Sequence, residues 1–164
     1  MLLDDSLRAV DVVSHFAGPI VDVGSGGGVP GIPLATFLPD REVTLLEAIG
    51  RKCDFLREWA PANVVVVQGR AEEQGTDVYG IGVAKALAKP PAAAEWSLPL
   101  VRPGGAVVLW VGLSADTERV ARVAEQVGGE LVESHDGLLV LRKVRPTPEG
   151  FPRRTGVASK RPLD

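Results

Sequence analysis

Between Ile20 and Leu34 the chain reads Ile-Val-Asp-Val-Gly-Ser-Gly-Gly-Gly-Val-Pro-Gly-Ile-Pro-Leu, an apolar run followed by glycines and then by prolines. Glycine reaches φ > 0 and carries no Cβ to hold a ligand away. The stretch from Gly24 to Gly28 therefore describes a loop that presses its backbone against a bound group. Pro30 and Pro33 suit a first helical turn, where the missing N–H costs nothing. A helix starting there aims its dipole and free N–H groups at the same group. This is the chemistry of a nucleotide-binding turn; the alternative is a glycine-rich turn with no ligand, which gives up stability for nothing. A dinucleotide fingerprint needs a third glycine where the chain has Val29, and a P-loop needs Gly-Lys-Ser/Thr where it has Pro30-Gly31-Ile32.

What remains is the D-x-G-x-G-x-G pattern with which Rossmann-like methyltransferases hold the methionine end of S-adenosylmethionine. Other residues extend the idea. Glu47 follows Gly24 by 23 positions, where an acid at a strand end accepts hydrogen bonds from both ribose hydroxyls. Taken alone it is equally well a solvated strand cap. Ala71-Glu72 would flank an adenine, with Glu72 or backbone groups at its polar edge; alone, the pair is an ordinary helix start. With one cysteine and only His15 and His135, neither a disulfide nor a metal-ligand cluster is expected. No Ser-His-Asp set or paired-carboxylate site stands out, and no residue is nominated as a catalytic acid or base.

The elements that must position these residues follow from periodicity and punctuation. An amphipathic helix is expected over residues 4–17, with Leu7, Val10, Val13 and Phe16 on one face. Strands are expected at 20–23, 43–46, 64–67, 78–83 and 106–111, and helices at 32–37, 51–59, 90–100 and 116–127. Cys53, Leu56 and Trp59 fall at helical spacing. Four valines in a row, Val64 to Val67, predict a strand buried on both faces. Residues 102–105 read as a turn, 131–133 and 138–141 as an antiparallel hairpin, and the proline-bearing tail as largely extended. Alternating strands and helices imply an α/β fold of the Rossmann-like class I methyltransferase kind. It has a mostly parallel twisted sheet, helices on both faces and a C-terminal antiparallel hairpin. In such a sheet Gly24, Glu47, Ala71-Glu72 and Ala84-Lys85 all sit just beyond strand ends, where ligands bind.

The 164 residues, 45% hydrophobic and 24% charged, fit one domain, with 1–19 as a short N-terminal helix and 142–164 as a basic tail. No apolar stretch is long enough for a bilayer, and no signal peptide is recognisable, so a cytoplasmic protein with no membrane partner is expected. The net charge of −3 conceals an asymmetry: 142–164 carries seven basic residues against two acidic ones. A polyanionic partner at that end is one implication, and a solvated basic tail without a partner is the other.

Four motifs resemble one family. They are Asp22-Val-Gly-Ser-Gly-Gly-Gly-Val-Pro-Gly-Ile-Pro-Leu-Ala35, Thr44-Leu-Leu-Glu47 with Arg51-Lys52 and Phe55-Leu-Arg57, Gly69-Arg-Ala-Glu-Glu73, and the tail Arg142-Lys-Val-Arg-Pro-Thr-Pro148 with Phe151-Pro-Arg-Arg-Thr-Gly156 and Lys160-Arg-Pro-Leu163. The chain is similar over nearly its whole length to the glucose-inhibited division protein B family, small-subunit ribosomal RNA guanine-N7 methyltransferases. The resemblance implies S-adenosylmethionine as cofactor and ribosomal RNA as partner. Gly24, Val29, Ala71, Glu72 and Lys85 match the family's cofactor-contacting positions. Glu47 is assigned to the ribose, and Ser25, Gly26 and Ala48 are counted with the set. Lys85, Arg70, Arg153 and Arg154 are candidates for orienting RNA, each with surface charge as its alternative. The chain departs from the family in having Lys85 for arginine, which loses a forked donor, and no lysine before Gly112. A monomer without metal is expected. The rival readings are a methyltransferase of another RNA or of a small molecule, a binding module without turnover and, more distantly, a dehydrogenase.

Overall fold

The computed structural model describes residues 2–164, with side chains from Asp5 onward. Seven strands form one sheet in the order β3-β2-β1-β4-β5-β7-β6. They are β1 (Ile20–Val23), β2 (Val43–Glu47), β3 (Val64–Gln68), β4 (Tyr79–Lys85), β5 (Val101–Trp110), β6 (Gly129–His135) and β7 (Leu138–Lys143). The first five run parallel, and β7 is antiparallel to both β5 and β6. The hairpin turns on Asp136 and Gly137, both at positive φ (49° and 75°). That backbone matches the right-handed twist of the flanking strands.

Strand alternation sorts the core into two layers. Val21, Val23, Leu46, Val107, Leu109, Leu139 and Leu141 pack beneath α5 (Pro90–Ser97) and α6 (Thr117–Gln126). Ile20, Val43, Leu45, Val83, Val108 and Val140 face the other way, with Leu34 of α3 (Gly31–Phe37) and Leu56 of α4 (Gly50–Trp59). The expected N-terminal helix divides into α1 (Leu2–Leu7) and α2 (Val10–Ser14), with Ala9 and Val13 fully buried in that second layer. Among the described residues, no helix is long and apolar enough to cross a membrane.

Several expectations change. β3 is the sheet edge, so its valines are not covered on both faces, and Val65 is 49% exposed. Four β-branched residues report strand preference, whereas burial depends on neighbours that the run does not encode. Trp59 is 63% exposed and stacks obliquely on Phe55 instead of joining Cys53 and Leu56 inside. Residues 102–105 form an irregularity within β5: its partner β4 advances from Tyr79 to Ile81 while β5 advances from Val101 to Ala106. The tail, expected to be extended, contains α7 (Val157–Lys160), with Ala158 2% exposed.

Candidate active site

The strand order reverses between β1 and β4, the place where ligands bind in open α/β sheets. Here the glycine loop leaves β1. Asp22 is the only polar residue of β1, and alternation turns it towards α3, where its Oδ2 accepts the Gly31 N–H at 2.9 Å. Burial raises its pKa from 3.8 to about 7, against the opposing effect of that N–H bond. A Cβ on Gly31 would stand 2.3 Å from Leu45 Cδ2 and 2.6 Å from Asp22 Oδ2. The close helix–strand packing that a dinucleotide turn assigns to its third glycine is thus carried out two positions later. Gly24 has φ +71°, and a Cβ there would lie 2.3 Å from Leu87 Cδ1. The absent side chain leaves room for Leu87, which follows Ala86, itself held at φ 53°.

Glu47, at the end of β2, is 6% exposed. Its Oε2 accepts the Gly26 N–H at 2.8 Å and its Oε1 accepts the Ile49 N–H at 2.9 Å. Each oxygen keeps a further lone pair for a hydroxyl donor. A cleft of about 240 Å³ opens beside it. Gly24, Glu47, Ala48, Arg70, Ala71 and Glu72 line this cleft, together with Val23, Leu46, Lys52, Gly69, Ala86, Leu87 and Trp96. Polar groups at one end and apolar walls from Leu46, Ala71, Leu87 and Trp96 fit a nucleoside bearing an amino-acid arm. Lys52, quoted only within a motif, and Trp96 were not assigned to the site from the sequence, since each stands on a helix whose distance from the loop is set only by the crossovers.

Ser25 and Gly26 are not among the lining residues and support the loop beside the cleft: the Ser25 hydroxyl donates to the Asp22 carbonyl at 2.8 Å, and the Gly26 N–H braces Glu47. Val29 is half-buried and is not among the lining residues. Lys85 also lies elsewhere. The cleft opens on the Val23–Leu46–Ala71 side of the sheet, whereas alternation along β4 sends Lys85 to the side of Val83. There its Nζ pairs with Asp5 of α1, and Trp110 Nε1 donates to the Asp5 carbonyl at 3.1 Å. Lys85 and Trp110 line a second, neighbouring cleft of about 560 Å³ that shares Ala86 with the first.

The basic tail is less available than its charge suggests. Lys143 is fully buried, and its ammonium, with three N–H donors, lies within 3.0 Å of four acceptors: Asp77 Oδ1, the Leu98 and Val101 carbonyls and Thr147 Oγ1. Period-2 spacing with Leu139 and Leu141 was the signal that it points inward. Arg153 forms a two-bond ion pair with buried Glu95, Nη2 to Oε2 at 2.6 Å, so its guanidinium is engaged within the protein instead of standing free as surface charge. Arg154 and Arg70 are exposed. Among the described residues, no group of three His, Cys, Asp or Glu side chains gathers as a metal site.

A mostly parallel sheet with this strand order, a glycine loop at its switch point and an acid at the end of β2 define a Rossmann-like S-adenosylmethionine-dependent methyltransferase. Solved structures share the fold. A putative S-adenosyl-L-methionine-dependent methyltransferase from Methanococcus maripaludis matches with a TM-score of 0.68 at 16% identity, over 90% of this chain and 87% of that one. The T. thermophilus 16S rRNA N2 G1207 methyltransferase, in complex with AdoMet and guanosine, matches at 0.61 and 19%, over 86% of this chain and 40% of that one. The family model described as rRNA small subunit methyltransferase G matches residues 1–135, and the chain belongs to that family. Relatives called ribosomal RNA small subunit methyltransferase G include one from Rubrobacter xylanophilus, 37% identical over 99% of this chain, and one from Deinococcus radiodurans, 40% identical over 87%. The chain spans 69% and 65% of the lengths of those two proteins.

Proposed function

We propose that the chain transfers a methyl group from S-adenosylmethionine to N7 of a guanine in small-subunit ribosomal RNA. The observation that carries this reading is the meeting of Gly24, Glu47 and the Ala71-Glu72 turn in one cleft at the switch point of the sheet. The Gly24–Gly26 backbone would receive the amino-acid arm, Glu47 the ribose hydroxyls, and Ala71 with Glu72 the adenine. The cofactor supplies an electrophilic methyl group on a sulfonium.

Guanine N7 already offers a lone pair at neutral pH, so the protein needs no general base. Its work is to hold nucleophile and methyl group in line, a contribution worth several kcal/mol and up to roughly 7–11 in ideal cases. The neighbouring cleft of Lys85, Trp110 and Ala86 is the place for the acceptor, because Ala86 borders both clefts. An RNA phosphate reaching Lys85 there competes with Asp5. Exposed Arg70 and Arg154 add salt-sensitive phosphate contacts. In this reading residues 1–164 would act as one domain and as a monomer, with no metal, in the cytoplasm where such RNA resides.

The test is incubation with labelled S-adenosylmethionine and either naked or ribosome-assembled RNA, followed by nucleoside analysis. N7-methylguanine is the expected product; cofactor binding with no transfer to either substrate would refute the enzyme reading. Glu47→Ala is expected to weaken cofactor binding at least tenfold, which corresponds to about 1.4 kcal/mol, and Arg154→Ala to leave it unchanged. Equal effects in a titration of the two variants would mean that the cofactor sits elsewhere.

A further inference from the structure

The segment from Phe151 to Lys160 is tied to two elements that border the cofactor cleft, α5 and the turn that carries Glu72. Arg153 grips Glu95 of α5, which is 2% exposed and adjoins the cleft residue Trp96. Two and three residues further on, Thr155 Oγ1 donates to Glu73 Oε1 at 3.0 Å, and the Gly156 N–H donates to Glu72 Oε1 at 3.1 Å. Glu72 lines the cleft. The left-handed backbone of Gly156, at φ 81°, begins α7, whose Ala158 is buried. A glutamate on a short 3-10 turn is otherwise free to rotate. A fixed N–H donor removes that freedom before any ligand arrives, which lowers the ordering cost of binding.

We propose that Arg153 is a positioning residue for the cofactor: through its pair with Glu95 it fixes the strap whose Gly156 N–H holds Glu72 at the cleft. The inference rests on the cofactor reading above. It assigns to Arg153 an effect on S-adenosylmethionine rather than on RNA, although its charge and its place in the basic tail suggest the reverse. Buried charge pairs lose their balance when one partner is removed. The informative variant is therefore Arg153→Gln combined with Glu95→Gln, which removes the two-bond ion pair without leaving a buried charge unpaired.

The experiment uses the full chain. S-adenosylmethionine binding is measured by calorimetry well below each variant's unfolding midpoint, and methylation kinetics are measured with ribosomal RNA at saturating cofactor. The double variant is expected to bind S-adenosylmethionine about tenfold more weakly, with the KM for RNA and the kcat unchanged. Glu72→Ala, which removes the acceptor of the Gly156 N–H, is expected to weaken binding alone and to add little in the double-variant background, the mark of two changes acting through one contact. Restoring Glu95 with Arg153→Lys is expected to recover part of the affinity.

A raised KM for RNA with intact cofactor affinity would place Arg153 on the RNA and overturn the proposal. A lowered unfolding midpoint with unchanged cofactor affinity would reduce the strap to a structural tie, and additive effects with Glu72→Ala would break the link to Glu72. Absence of cofactor binding by the unaltered chain would instead remove the cofactor reading itself, and the strap's role with it.

Discussion

The two halves of the molecule bury charge in opposite ways. In the half built on β1 and β2, the buried acids Asp22 and Glu47 are met by backbone N–H groups, from Gly31 nine residues away and Gly26 twenty-one away. In the half built on β4 to β7 and the tail, buried Lys143 and Glu95 are met by opposite charges, Asp77 at 66 residues' separation and Arg153 at 58. Backbone donors come with the local chain path, so a short motif can specify them. Ion pairs across sixty residues exist only after the sheet has closed. The first arrangement builds a ligand site and the second fastens the tail beside it.

Lys143→Met tests the second half and should give the largest effect. It takes the counter-charge from Asp77, which keeps its Thr147 donors, and one donor from each of the Leu98 and Val101 carbonyls, a loss of about 2–4 kcal/mol in urea unfolding. An unchanged midpoint would show that the tail is not held by this charge. Gly31→Ala probes the first half, where a methyl group would enter the space held by Leu45 Cδ2 and Asp22 Oδ2. It should cost about 1–3 kcal/mol by the same measurement, and a neutral result would mean that the glycine is not required for helix–strand packing.

A smaller and pH-dependent effect belongs to Asp22. Its folded pKa of about 7 lies above the ordinary 3.8, so its contribution to stability is full below about pH 3.8 and is lost as pH rises through about 7. Asp22→Asn keeps an acceptor for Gly31 without the charge. The variant should gain on the wild type as pH is raised from about 4 to about 8, by an amount on the order of a few kcal/mol; parallel stability profiles would contradict the burial of a charge there. The smallest effect is expected from Trp59→Ser on the exposed face of α4, within about 0.5 kcal/mol. A large loss would mean that this face is covered.

Much of the first half was legible in the residues. The β1 run, the glycines, the Pro30–Pro33 helix start and Glu47 each carry their meaning within a few positions, and the structure places Gly24, Glu47, Ala48, Ala71 and Glu72 around one cleft. Lys85 was misplaced because its neighbours place it just beyond a strand but do not say which face its side chain takes relative to the cleft. Arg153 was read as free charge because nothing near it announces Glu95, a residue inside a helix that otherwise reads as small and apolar. The valines of β3 announced a strand and could not announce an edge.

The sequence by itself determined most of the elements, the binding turn and the family, because strand preference, backbone freedom at glycine and helix starts are properties of short segments. Only the tertiary structure decided which charges face solvent. Whether a lysine or arginine meets water, RNA or a buried carboxylate depends on what the fold brings within 3 Å or so of it, and at Lys143 and Arg153 that partner comes from a distant part of the chain.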